Sequence, residues 1–128
     1  MQYTQAKPGR IFVIAVEHGE NIINNLQNLA EKEKISCAVF HLLGALKHAE
    51  LVIGPKKPVL PPDRQKILID NNASEFMGFG TIFLQEQKPS IHIHLSMGNK
   101  TITQTGHLLP DHEVFIISEM ALTSSVKL

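Results

Sequence analysis

The chain has no tryptophan, one tyrosine and one cysteine. Without a second cysteine there is no internal disulfide, and no thiolate cluster for a metal within one chain. A secreted, disulfide-stapled module is excluded. Aromatic residues make up 5% of the chain, so stacking platforms for bases are few. Long apolar runs are missing as well. The first, Ile11 to Val16, is cut off by Glu17 and His18. A signal-peptide core needs about 7–15 residues and a membrane span about 18–20. The expectation is a cytoplasmic protein with no membrane role. Nor is there an excess of charge, since twelve Lys plus Arg balance twelve Asp plus Glu. A strongly basic nucleic-acid binder is therefore disfavoured, although a local patch is compatible with that balance.

What is present suits one water-soluble domain: 128 residues, 43% hydrophobic and 19% charged. Histidine is abundant, with seven residues. That abundance directs attention to metal or proton chemistry.

The chain shows no internal repeat or low-complexity tract. Residues 1–9 read as a loose start. Arg10 to Val16 reads as a strand buried on both faces, because it is rich in β-branched residues. Ile22, Ile23, Leu26, Leu29 and Ala30 form one stripe at helical period, which predicts a helix over about 21–34. Strands follow at Ile35–Leu43 and Leu46–Ile53, with Gly44 breaking or bulging the chain between them. The proline-rich stretch 54–63 reads as a loop. Further strands are expected at 66–69, 90–97, 101–105 and 114–122, and a strand pair or a bulged strand over 75–84, interrupted by Gly78 and Gly80. Turns are expected at Asn71-Asn72, Gln85–Pro89 and Gly98-Asn99, and a loop over Gly106–His112. The sum is an α+β domain: a largely antiparallel sheet of about seven or eight strands packed on one main helix.

The segment Ile91-His92-Ile93-His94-Leu95 carries the strongest chemistry. Residues i and i+2 of a strand share a face, so His92 and His94 project together. The Gly98-Asn99 turn then folds the chain back and brings His107 toward the same face. Three neutral imidazoles at about 2.0–2.1 Å make a zinc site with an open fourth position. A cupin also carries His-x-His on a strand, but a glutamate ligand follows it within a few residues. Leu95 to Asn99 offers none.

Several blocks together resemble the PPC domain family (plant and prokaryote conserved), whose members also carry a DNA-binding label. They are Gly9–Val13 with Glu17–Glu20, Gly44–Leu51, Glu75-Phe76 to Gly80-Thr81-Ile82, His92–Gly98, Gly106–Leu109, and Val114–Ala121 with Glu119. The resemblance spans roughly residues 9–122. It implies a compact antiparallel-sheet fold packed on a helix, a homotrimer, and a metal, zinc or another divalent ion, held by His92, His94 and His107. Two departures add bulk near that site: Leu42 and Thr105 stand where family members often carry glycine. The Arg-Gly-Arg-Pro core of the AT-hook found in plant members is absent.

Other residues have weaker readings. Glu75, supported by the family pattern, is the candidate catalytic proton acceptor or orienting carboxylate. Glu119 interrupts an apolar strand and calls for a partner or an interface. His112 reads as a solvated loop residue, with closure of the fourth metal position as the sharper alternative. His41 reads as a core or interface group, His18 as part of a turn, and His48 as surface. Cys37 lacks a cationic neighbourhood. Lys56, Lys57, Arg64 and Lys66 form a basic cluster. Two functions follow as expectations: a metal site open to a small ligand or water, or a DNA-associated regulatory protein without an AT-hook.

Overall fold

The computed structural model describes residues 1–70 and 73–127. The elements in order are β1 (Ala6–Glu17), α1 (Ile22–Glu33), β2 (Cys37–Ile53), β3 (Gln65–Ile69), β4 (Ser74–Gln85), β5 (Lys88–Gly98) and β6 (Thr103–Lys127). All strand pairs are antiparallel. The strand order is β1-β6-β5-β4-β2-β3, and an additional β6–β2 pairing closes the middle of the sheet on itself. Inward side chains such as Phe40, Leu46, Leu51, Ile82, Ile93 and Leu108 fill the interior. No helix among the described residues is long and apolar enough to cross a membrane.

The helix forms where its apolar stripe predicts. Ile22, Leu26 and Ala30 are buried at i, i+4 and i+8. Asn21 caps the start by accepting a hydrogen bond from the Asn24 backbone N–H at 3.0 Å. Lys34 ends the helix with φ 55°, and its N–H reaches back to the Ala30 and Glu31 carbonyls.

The strand count is six among the described residues, not seven or eight, and bulges explain the difference. Gly44 bulges the chain but does not break it, so the two strands expected over 35–53 are one. A Cβ on Gly44, at φ +149°, would collide with the Ile117 backbone. Opposite it, Ile116 is squeezed to φ 67°, a left-handed value rare for a β-branched residue. The expected loop over 106–112 is also strand, because β6 runs unbroken through it. Pro110 is tolerated there because it falls where the β2–β6 register shifts and no ladder N–H is needed. Residues 75–84 lie in a single strand without a register shift. Strand β1 begins at Ala6, inside the stretch read as a loose start. The expected Asn71-Asn72 turn lies outside the described residues.

The β1 expectation fails in one respect. Ile11 and Val13 are not buried but 71% and 89% exposed. A run of apolar residues does not reveal whether its own chain covers both faces.

His112 is also corrected: it is buried, not solvated, and it holds no metal position. Its Nε2 accepts from the Ile22 N–H at 3.0 Å, at the start of α1. Its Nδ1 therefore carries the proton and donates to the Leu109 carbonyl at 2.9 Å. Burial holds this imidazole below its ordinary value; His48 also lowers it, while the Leu109 carbonyl and Asp111 pull the other way. Stability should follow. The unfolded chain takes up the proton first, at about pH 6.5. The contribution is complete above that pH and is lost as pH falls toward the lower folded value. Urea midpoints of the wild type should drop below about pH 6.5 more than those of His112→Asn. Equal slopes would exclude His112 as the cause.

Candidate metal centre

Strand alternation sorts the residues of β5. Ile93 and Leu95 point into the core, while His92 and His94 stand outside. The turn beyond β5 is built by Asn99. Its N–H donates to the Ile102 carbonyl at 2.9 Å, and its side-chain oxygen accepts from the Thr101 and Ile102 backbone N–H groups at 2.9 and 3.2 Å. The returning strand then pairs Gly98 with Thr103, Ser96 with Thr105 and His94 with His107. Directly opposed residues share a face, so the third imidazole arrives beside the first two. Two glycines allow this close packing. A Cβ on Gly78 would lie 2.6 Å from the His94 carbonyl oxygen, and one on Gly106 would lie 2.5 Å from the Val52 carbonyl oxygen.

One candidate ligand nitrogen from each of His92, His94 and His107 lies within 4.8 Å of the other two. The Nε2 atoms of His92 and His94 are 3.1 Å apart. Ring centroids stand 4.9 Å apart for His92–His94, 4.8 Å for His92–His107 and 5.6 Å for His94–His107. Tetrahedral ligands at zinc distances lie roughly 3.3 Å apart, so a small closing rotation of the rings suffices. His107 Nδ1 is buried without a hydrogen-bond partner among the described residues. That imidazole therefore keeps a ring nitrogen that no protein group claims. Burial, and then the neighbouring His92, lowers the His94 pKa. For His107 burial acts first, followed by His92, His94 and the guanidinium of Arg64. Neutral imidazoles are the form a metal requires. The donor set fits a divalent ion, and neutral nitrogen donors suit zinc.

Glu75 shares the outer face but pairs with Gly98 on β5, four residues from His94. Within one chain it is not among the groups gathered around the imidazoles. Glu119 is exposed and sits on a shallow apolar hollow with Val13, Leu43, Met77 and Phe79; His94, Ser96 and Thr105 form part of the same lining. His41 lies there too, edge-on to Phe79 at 5.1 Å. His18 accepts from the strained Ile116 N–H at 3.0 Å, which ties the turn to the bulge. His48 contacts Asp111 at 3.0 Å. Thr105 stands beside the triad and donates to the Ser96 hydroxyl at 3.0 Å. Leu42 instead turns into the core. Of the two departures from the family pattern, only Thr105 adds bulk on the outer face. The sequence reading missed the apolar hollow beside the triad, because its residues come from β1, β2, β4, β5 and β6 and meet only through long-range pairing.

Fold and site together define a class: a small α+β domain with a closed antiparallel sheet and three imidazoles on its outer surface. A model of the Plants and Prokaryotes Conserved (PCC) domain matches residues 3–126, and the chain belongs to that family. Among solved structures, a plant- and prokaryote-conserved protein from Pyrococcus horikoshii is 25% identical with a TM-score of 0.83, covering 100% of this chain and 87% of that one. A metal-containing protein from Archaeoglobus fulgidus shares the fold with a TM-score of 0.86 at 18% identity, covering 99% of this chain and 87% of that one. A supposed DNA-binding protein from Ralstonia eutropha JMP134 matches with a TM-score of 0.70 at 25% identity, covering 89% of this chain and 76% of that one. No curated protein sequence matches significantly.

Proposed function

We propose that His92, His94 and His107 hold a divalent metal, zinc by donor type, with the fourth position open to water or a small ligand. The observation that carries this reading is the convergence of three ligand nitrogens within 4.8 Å on a rigid pair of strands. The Archaeoglobus structure, described as metal-containing, adds support from the same fold. Zinc brings bound water to a pKa near 7, so such a site supplies a nucleophile or a binding point at neutral pH. Metal analysis of the purified protein tests the proposal. About one zinc per chain is expected, removable by chelator and restored by added zinc. Protein that takes up no divalent metal would sink it.

The apolar hollow supports association with further copies of the chain, and the family resemblance makes that assembly a homotrimer. Val13, Met77, Leu43 and Phe79 are 89%, 69%, 52% and 47% exposed in the single chain. A contiguous apolar face of this kind is normally covered by a partner. Leu43→Glu should therefore reduce the mass measured by light scattering; a wild type that runs as a monomer would remove the proposal. The lone, half-buried Cys37 suits a reducing, cytoplasmic setting.

The basic cluster favours a second reading, DNA association. Lys66 already contacts Glu50 at 3.8 Å, which leaves Lys56, Lys57 and Arg64 as its main resource. Binding through these residues should weaken steeply with salt. A titration that begins at about 50 mM salt and finds no complex would remove this reading.

A further inference from the structure

Strand register arranges the outer surface in rungs. Val13 pairs with Ala121, Ala121 with His41, His41 with Phe79 and Phe79 with His94. On the next outward rung Glu119 pairs with Leu43, Leu43 with Met77 and Met77 with Ser96. Directly opposed residues of paired strands share a face. The exposed apolar face is therefore continuous with the edge that bears the triad, and His94 itself lines the hollow. Whatever covers the hollow also comes against the metal site.

Glu119 decides what can cover this face. It is the one carboxylate in the lining, and no Lys or Arg lines the hollow among the described residues. Nor does it make an ion pair among those residues. Covering an ionised carboxylate with an apolar surface is costly unless a cation meets it. The metal of its own chain is out of reach: along its rung Glu119 lies three strand spacings from β5, roughly 14 Å. At the β5 edge, three neutral imidazoles leave the double charge of the metal uncompensated, and no carboxylate is gathered with them among the described residues. The face thus carries a negative group toward one end and a positive site at the other. A closed ring of identical chains joins unlike patches of neighbouring copies. Such a ring allows each negative end to meet its neighbour's positive one.

We propose that the metal centre is shared between subunits: Glu119 of one copy stands over the open metal position of its neighbour. This rests on the metal and assembly readings above and adds the residue that the second copy contributes. The carboxylate balances the charge of the metal and accepts a hydrogen bond from the water or ligand at the open position. Each copy gives three imidazoles to one centre and a carboxylate to the next.

Zinc affinity, measured by competition with a chromophoric chelator, tests the proposal. Glu119→Gln keeps all three imidazoles and should still weaken zinc by about tenfold or more, the effect of losing an outer partner. Unchanged affinity overturns the proposal. Mixed assemblies then show whether the carboxylate acts across the interface. Glu119→Gln and His107→Ala chains, carrying different tags, are co-expressed and purified over both tags. Any ring that contains both kinds has a junction where an intact triad meets an intact Glu119. Zinc sites of wild-type affinity should reappear there, although neither variant shows them alone. Weak zinc throughout the mixed assemblies means that Glu119 does not act on a neighbour, and overturns the proposal. So does failure of the two variants to co-purify when two differently tagged wild-type chains do. Wild type that takes up no zinc removes the metal reading, and wild-type chains that never co-purify remove the assembly reading; the proposal falls with either.

Discussion

Replacing His107 with alanine is expected to weaken zinc binding by at least about 100-fold, since loss of even an outer hydrogen-bond partner of a ligand costs 10–100-fold. Only His92 and His94 would remain, both exposed and held in place by a single strand. Two imidazoles leave two positions to water, and a chelate of two donors opposes metal loss less than one of three. His92→Ala should behave alike. Neither change should disturb the fold, because these rings lie outside the core. Glu75→Gln is the control: four residues removed from His94 in register, it should leave zinc content unaltered. The measurement is zinc retained after dialysis against a competing chelator, with circular dichroism to verify folding. Stoichiometric zinc in both alanine variants would show that the metal is held elsewhere.

The second large effect lies at Phe40 and Gly80. These residues are register partners on β2 and β4. The Phe40 ring is fully buried, and a Cβ on Gly80 would fall inside it. Phe40→Ala should cost about 3–5 kcal/mol through lost burial and the cavity left behind. Gly80→Ala should cost roughly 1–3 kcal/mol by overpacking, since the ring has to move. The double variant should cost less than the sum, by at least about 1 kcal/mol, because the new methyl occupies space the ring has vacated. Urea unfolding of the four proteins measures the coupling. Additivity within about 0.3 kcal/mol would mean that the ring does not lie over Gly80.

The triad was legible because its geometry follows from short-range rules. Alternation fixes His92 against His94, and a tight turn at Gly98-Asn99 fixes the register that delivers His107. The helix was legible for a similar reason: stripe, cap and terminator agree over one short segment. The boundaries that failed depend on long-range contacts. Gly44, Gly106 and Pro110 look like interruptions locally, but paired neighbours carry the strand through each of them. His112 looked solvated because its proline and acidic neighbours suggest a loop. Its actual partner, the first turn of α1, is 90 residues away in the chain. Exposure of Ile11 and Val13 was illegible in principle, since apolar composition does not distinguish a core from a surface awaiting a partner.

Strand β6 pairs with β1, β2 and β5, and its residue His112 caps the helix. It is also the last element in chain order. During synthesis β1 thus emerges with no strand to receive it, and α1 waits for the acceptor at its first turn. The pairing of β2 with β3, the hairpin of β4 and β5, and its pairing with β2 can form beforehand. The nascent chain should therefore stay open to proteases and holdase chaperones until β6 has left the ribosome, and then close in one late step.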